Sequence, residues 1–371
     1  MDTRTVPITD PASDAAAVRD AGAALADGRL VVFPTETVYG LGASAASGEA
    51  VDALSRLKER DETKPFTLHL AAPSEAETYA GPLPRVGRRL VRKTWPGPLT
   101  LVVPDRRPSD GPRPEVVEGA VYHRGTVGLR CPSHPVARAI LSAAGVPVVA
   151  TSANLRGEAP PHRAAEALDS LDGRVALVVD GGPTPLDAPS TVVRVTEDDR
   201  HEVLREGAIA AHRVARLVRT SVLFICTGNM CRSPMAEGIA RRRLAGRFGC
   251  RPEELPAHGI DVGSAGTAAM AGAGPSENAD LAARDLGVDL RAHRTRPMTV
   301  DLLRAADYIW VMTRGHLDAV VRTAPEVADR VDLLDPAGND IDDPIGGDLD
   351  RYRACARRLD DAMTQRVQEV V

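Results

Sequence analysis

The run Val222-Leu-Phe-Ile-Cys226-Thr-Gly-Asn229-Met-Cys231-Arg232-Ser233-Pro234 constrains this chain more than any other stretch. Its apolar start reads as a strand ending on a cysteine, and Ser233 with Pro234 reads as the N-cap and first residue of a helix. Between them, Gly228 and Asn229 tolerate positive φ. Successive backbone N–H groups can then turn inward as an anion-binding nest, with the helix dipole behind them. A strand, a nest and a helix in that order belong in a doubly wound parallel sheet, whose ligands sit at the carboxyl ends of strands. A thiol in such a nest is expected to have a strongly lowered pKa, which makes Cys226 the candidate nucleophile. Arg232 is suited to grip two phosphoryl oxygens as a planar fork. Ser233 can hydrogen-bond the thiolate. A covalent route also needs an acid for the leaving group. Asp343, in the Asp343-Pro344 turn before the final helical pattern, is the first candidate; Asp335, followed by Pro336, is the second.

Strand and helix patterns alternate on both sides of this run, as in α/β proteins. Before it, strands are expected at Leu30–Pro34, Thr67–Leu70, Leu99–Val103, Val127–Arg130, Val146–Ala150, Ala176–Asp180 and Ser190–Val195. After it, they are expected at Ser221–Ile225, Ile260–Gly263, Tyr308–Met312 and Val331–Leu334. The last helix, Asp348–Val370, repeats apolar residues every three or four positions. The polar, Arg-rich stretch 213–220 reads as a linker between domains 1–212 and 221–371. The formal net charge of -5 leaves no strong electrostatic footprint for nucleic acid, so RNA contact would have to be a local patch. The polar, acidic N-terminus lacks the features of a signal peptide, and no apolar run approaches membrane-spanning length. Five cysteines without framework spacing fit a reducing, cytoplasmic setting. Arginine is used almost throughout; the three lysines are Lys58, Lys64 and Lys93.

The motif CTGNMCRSPMAE, the later Ser264-Ala-Gly-Thr267, the Asp343-Pro344 turn and the closing helix resemble a low-molecular-weight protein tyrosine phosphatase over nearly all of 221–371. The resemblance implies a flavodoxin-like, four-stranded parallel sheet (the phosphotyrosine phosphatase I fold). It further implies a phosphocysteine intermediate at Cys226, a loop shaped by Asn229 through a bond to Ser264, phosphoprotein substrates and no metal. Many members also carry a second cysteine at the place of Cys231, which would resolve an oxidised Cys226. Two departures bear on substrate. Ile345-Gly-Gly347 follows Asp343-Pro344 where tyrosine-directed members carry aromatic residues, and resembles members acting on phosphoarginine. Met230 stands where those members have Thr and tyrosine-directed members have Ile. Phosphotyrosine is favoured, with phosphoarginine as the alternative. Arsenate reduction on the same loop would need a further pair of nearby cysteines, and only Cys250 and Cys355 remain, far apart in sequence.

The N-terminal half carries five small clusters near strand ends. They are Phe33-Pro-Thr35-Glu-Thr37-Val-Tyr39, then Lys58-Glu-Arg60 with Lys64-Pro65, then Thr126-Val-Gly-Leu-Arg130, then Ser152-Ala-Asn154, and finally Ser190 with Arg205. Cations and small hydroxyl residues at strand ends suit a polyphosphate together with a small polar metabolite. In this order they resemble the YrdC/Sua5 family of L-threonylcarbamoyladenylate synthases, over about residues 10–212, with a twisted, open α/β sheet. The resemblance implies condensation of L-threonine, bicarbonate and ATP to threonylcarbamoyl-AMP and pyrophosphate. That product serves the threonylcarbamoyl modification of adenosine 37 in tRNA, with proteins of that route as partners. Thr35, His69, Arg130 and Ser190 would hold threonine. Lys58, Arg60, Lys64, Thr126, Ser152, Asn154 and Arg205 would hold ATP, with Mg2+ on its phosphates. The chain therefore reads as a bifunctional enzyme. The competing reading is an RNA-binding module with a regulatory phosphatase attached.

Overall fold

The computed structural model describes residues 2–60, 64–109 and 114–370. The chain divides into two compact units, with the boundary between Leu217 and Val218.

The strands of the first unit are β1 (Arg4–Pro7), β2 (Val31–Phe33), β3 (Gly40–Ser44), β4 (Thr67–His69), β5 (Leu99–Pro104), β6 (Tyr122–His123), β7 (Thr126–Arg130), β8 (Val148–Ser152), β9 (Leu177–Asp180), β10 (Thr191–Val195) and β11 (His201–Arg205). They form one open, mixed sheet in the order β1-β9-β2-β3-β8-β4-β7-β5-β10-β11, with β6 paired to β7. β2 and β5 are short apolar runs buried along nearly their whole length, as strands covered on both faces must be. Helices Ala15–Ala26 and Pro135–Ala144 contribute Ala21, Leu25, Ala137 and Ile140 to one core with Phe33 and Val148. Their contact is close: a Cβ at Gly22 would stand 2.6 Å from the Ala143 carbonyl carbon.

The strands expected in this unit are all present, with ends moved by one or two residues. β3 was not expected, because Gly-Leu-Gly-Ala-Ser carries no strand signal. It is wholly buried between β2 and β8. Gly42 is needed there, since a Cβ would come within 2.7 Å of the Phe33 ring. The polar β1 and the exposed β11 were also unread, as was helix Arg85–Thr94. The stretch 213–220 is not a bare linker. Ala211–Leu217 is a helix with Val214 fully buried, and Thr220 already belongs to the next strand. Its arginines masked one apolar anchor.

The second unit holds β12 (Thr220–Cys226), β13 (Ile260–Gly266), β14 (Tyr308–Val311) and β15 (Val331–Leu333), in the order β13-β12-β14-β15. All pairs are parallel. This is the flavodoxin-like arrangement, and β12 is its switch point. Side chains alternate along β12. Val222, Phe224 and Cys226 share a core with Met235, Ile239, Leu359 and Met363 of helices Arg232–Phe248 and Leu349–Val370. Leu223 and Ile225 pack on the opposite face with Leu303 and Val320. Cys226 thus lies at the carboxyl end of the central strand, where the crevice of such a sheet opens.

Candidate functional site

In the second unit the loop after β12 curls around Cys226. Asn229 is left-handed, at φ 55°. Its N–H donates to Cys226 Sγ at 3.3 Å. Its side-chain amide donates to Ser233 Oγ at 2.9 Å and to Ser264 Oγ at 2.8 Å. Its Oδ1 accepts the Arg296 N–H at 3.0 Å, and its carbonyl accepts His293 Nε2 at 2.8 Å. Ser264 Oγ in turn donates to Glu237 at 2.7 Å. Asn229 is fully buried, and these bonds meet the requirement that buried polar atoms be partnered.

Ser233 does not cap the helix. Helix Arg232–Phe248 starts earlier, with Cys231 at the N-cap position. The curl of the loop already turns Arg232 into the helix, which leaves the Ser233 hydroxyl facing the thiol, with Oγ 3.0 Å from Cys226 Sγ. Arg232 is buried; its Nη1 donates to the Ile341 carbonyl at 3.0 Å, and its Nη2 forms an ion pair with Asp343. Asp343 is therefore brought to the loop. Asp335 is held elsewhere, by the Ala337 N–H, Asn339 and Arg358. Cys231 turns away from solvent toward Ser276 Oγ (3.2 Å) and Tyr352 Oη (3.5 Å), and all five cysteines are free thiols.

The thiol differs from expectation in this state. Burial raises the pKa of Cys226, against the lowering influence of Ser233, the Asn229 N–H and the Arg232 charge. The physical reason is the loss of water around a thiol at the buried end of β12; Asp343 pairs with the Arg232 cation beside it. The residues missed by sequence reading form the layer beneath. His316 is buried between Thr227 Oγ1 (2.9 Å) and Thr313 Oγ1 (2.8 Å), and burial pushes its pKa down to about 4. The only hint in the sequence was Thr313 three residues before it, an N-cap spacing.

In the first unit two groups of side chains assemble. Arg130 Nη2 donates to Glu36 at 2.9 Å, to Thr37 Oγ1 at 2.7 Å and to Thr35 Oγ1 at 3.4 Å. His69 and Thr100 register against Arg130 on either side of it, on β4 and β5. Thr100 Oγ1 lies 2.9 Å from Ser190 Oγ, and Arg205 donates to both Ser190 oxygens. Burial, then the Arg130 charge, hold His69 down to about 3 and also lower Arg205. Thr35, His69, Arg130, Ser190 and Arg205 thus form one connected patch.

The second group is Lys58, Ser152 and Asn154. Lys58 Nζ donates to the Ser152 carbonyl at 3.0 Å, to Asn154 Oδ1 at 3.3 Å and to the Asn154 carbonyl. Burial, then the Arg60 charge, bring Lys58 down to about 8. Arg60 itself donates to the Lys64 and Pro65 carbonyls, with its guanidinium 4.4 Å from the centre of the Phe66 ring. Two expected residues stand apart. Lys64 is exposed. Thr126 turns its hydroxyl to the His123 carbonyl, at the far end of β7 from Arg130, on the order of 13 Å along the strand. Glu36 and Thr37, which hold Arg130, belong to the first cluster, but no role was assigned to them there.

A mixed sheet carrying these two polar groups, followed by a parallel domain with a cysteine loop, defines a two-part α/β enzyme. Residues 23–207 match the Sua5/YciO/YrdC family model, described as telomere recombination, and residues 221–371 match the model of low molecular weight phosphotyrosine protein phosphatase. The chain belongs to the Sua5/YciO/YrdC family, and its second unit is a low-molecular-weight phosphatase domain. A threonylcarbamoyl-AMP synthase of Bacillus subtilis is 39% identical over 201 residues, covering 54% of this chain but only 56% of that protein. The chain thus spans little more than half of that relative. The threonylcarbamoyl-AMP synthase of Halorhodospira halophila is 35% identical over 175 residues, 47% of this chain and 88% of that protein. In fold, the chain is like Pyrococcus abyssi Sua5 complexed with L-threonine, with a TM-score of 0.52 at 21% identity over 71% of this chain and 92% of that one.

Proposed function

We propose that the first unit condenses L-threonine, bicarbonate and ATP to threonylcarbamoyl-AMP and pyrophosphate, for modification of adenosine 37 in tRNA. The observation that carries this reading is the patch around Arg130. Its Nε is buried without a partner, ready for a carboxylate, while Thr35, His69 and Ser190 supply hydroxyls and a neutral imidazole. Lys58, Ser152, Asn154 and Arg60 are the ATP side of the site. The threonine carbamate is itself the nucleophile at the α-phosphorus, so the protein has only to align and neutralise. Among the described residues no cluster of three metal-ligating side chains occurs. Mg2+ would enter with the phosphates of the ATP substrate. The test is pyrophosphate release that needs both threonine and bicarbonate; release without threonine would refute it. An RNA-binding module would show no such release.

The second unit, in the same proposal, dephosphorylates phosphoproteins through a phosphocysteine at Cys226. The carrying observation is that Asn229, Ser233 and Cys226 are hydrogen-bonded in series while Arg232 pairs with Asp343. Arg232 takes the phosphoryl oxygens, Asp343 protonates the leaving group, and Ser233 supports the departing thiolate. Phosphotyrosine is the favoured substrate. Met230, Met270 and Ile345 are exposed by 39%, 85% and 68%. They lie on the catalytic loop, the loop after β13 and the Asp343 turn, and such apolar surface suits an aryl ring better than a guanidinium. A panel of phosphotyrosine, phosphoarginine and phosphoserine peptides tests this; preference for phosphoarginine would reverse the assignment.

A further inference from the structure

The environment of Arg130 is one-sided. It forms a buried ion pair with Glu36, each side chain only 6% exposed. Glu36 Oε1 and the Thr37 hydroxyl, with Thr35 more distant, all take the same nitrogen, Nη2. Nε, at another corner of the guanidinium, is buried and unpartnered. A buried charged N–H without an acceptor is destabilising, and this one lies beside the hydroxyls and imidazole of Thr35, Ser190 and His69, where an acceptor from a ligand would satisfy it. Glu36 is not a place-holder that a ligand could push out. Its second oxygen accepts the Ser133 N–H at 3.0 Å, and both oxygens are therefore committed.

We propose that Glu36 is a positioning residue for the amino-acid substrate: together with Thr37 it clamps the Nη2 corner of Arg130, so that the Nε–H is left for the substrate α-carboxylate. This rests on the threonine reading given above. Two effects compete when Glu36 is replaced by Gln. Loss of a negative charge makes Arg130 a stronger electrostatic trap for a carboxylate. Against that, glutamine has one acceptor oxygen where Arg130 and the Ser133 N–H need two. The guanidinium is then released, and it lies within electrostatic reach of Arg205 with its counter-charge gone. Orientation should dominate, because a fork recognises a carboxylate only when its N–H groups point at it.

The experiment is steady-state pyrophosphate release by the full chain. Glu36→Gln should raise the KM for threonine by about tenfold or more, as expected for a misdirected hydrogen bond to a charged group, while kcat and the KM for ATP stay near wild type. Thr37→Val should raise the threonine KM by about fivefold through loss of one acceptor, and Thr37→Ser, which keeps the hydroxyl, should restore it. An unchanged or lower threonine KM in folded Glu36→Gln overturns the proposal. If that variant does not fold, the Thr37 pair decides, and equal threonine KM values for Val and Ser overturn it. Absence of threonine-dependent release in the wild type would instead remove the synthase reading, and this proposal with it.

Discussion

One carboxylate is paired with the cation beside the candidate nucleophile. Asp343 pairs with Arg232, and burial raises Cys226. Removing that negative charge frees the guanidinium and favours the thiolate, so Asp343→Asn should lower the Cys226 pKa. Iodoacetamide alkylation followed against pH reads this directly, and an unmoved profile would contradict the pairing. The same variant should slow phosphoenzyme formation by about 10²- to 10⁴-fold on poor leaving groups, which need protonation most. Asp335→Asn should do neither. Cys231 bears on oxidation. We propose that it resolves a Cys226 sulfenic acid as a disulfide, protecting it from further oxidation. Peroxide-inactivated wild type should then recover with dithiothreitol, and Cys231→Ser should not; equal recovery would end that role. Cys226, Arg232 and Ser233 were legible because strand, nest and helix are contiguous in sequence, and Asp343, 111 residues from Arg232, because its Asp-Pro turn precedes a strongly periodic helix. Glu36 and His316 were not, because their partners lie 94 and 89 residues away.

Strands and helices with a clear period were read well, and those without one were missed. Helix Leu349–Val370 buries Tyr352, Cys355, Leu359, Met363 and Val367, the stripe its spacing announces. β3 announces nothing, since Gly-Leu-Gly-Ala-Ser has neither alternation nor β-branched residues. Its identity as a strand comes from its neighbours β2 and β8, and its glycine from the Phe33 ring. Gly42→Ala should therefore lower stability by about 1–3 kcal/mol through overpacking, seen as a reduced Tm. A neutral substitution would mean that Phe33 moves freely. On β4, the His69 pKa lies near 3, against an ordinary 6.5. The folded state keeps the ring neutral while the unfolded chain protonates it below about 6.5. The stability contributed is complete above that pH and is lost progressively as pH falls toward 3. His69→Asn should flatten the acid limb of Tm against pH between those values.

At the scale of the whole molecule, each proposed site is built from residues of its own unit. Cys226→Ser should abolish phosphatase turnover and leave threonine-dependent pyrophosphate release intact; loss of both in a folded variant would reveal coupling. Among the described residues no helix is long and apolar enough to cross a membrane. On the proposed synthase reading, the near-absence of lysine has a chemical meaning for the chain as a whole. Threonylcarbamoyl-AMP is a mixed anhydride, and free amines are what such anhydrides acylate. A chain of 371 residues with three lysines offers few amines to be lost in this way, while its guanidiniums stay protonated and unreactive. Lys58, in the site itself, holds its ammonium against three oxygens. At pH 7, about one unit below its lowered pKa, that amine is mostly protonated, so on the proposed reading the reactive product forms beside a lysine that is largely ammonium.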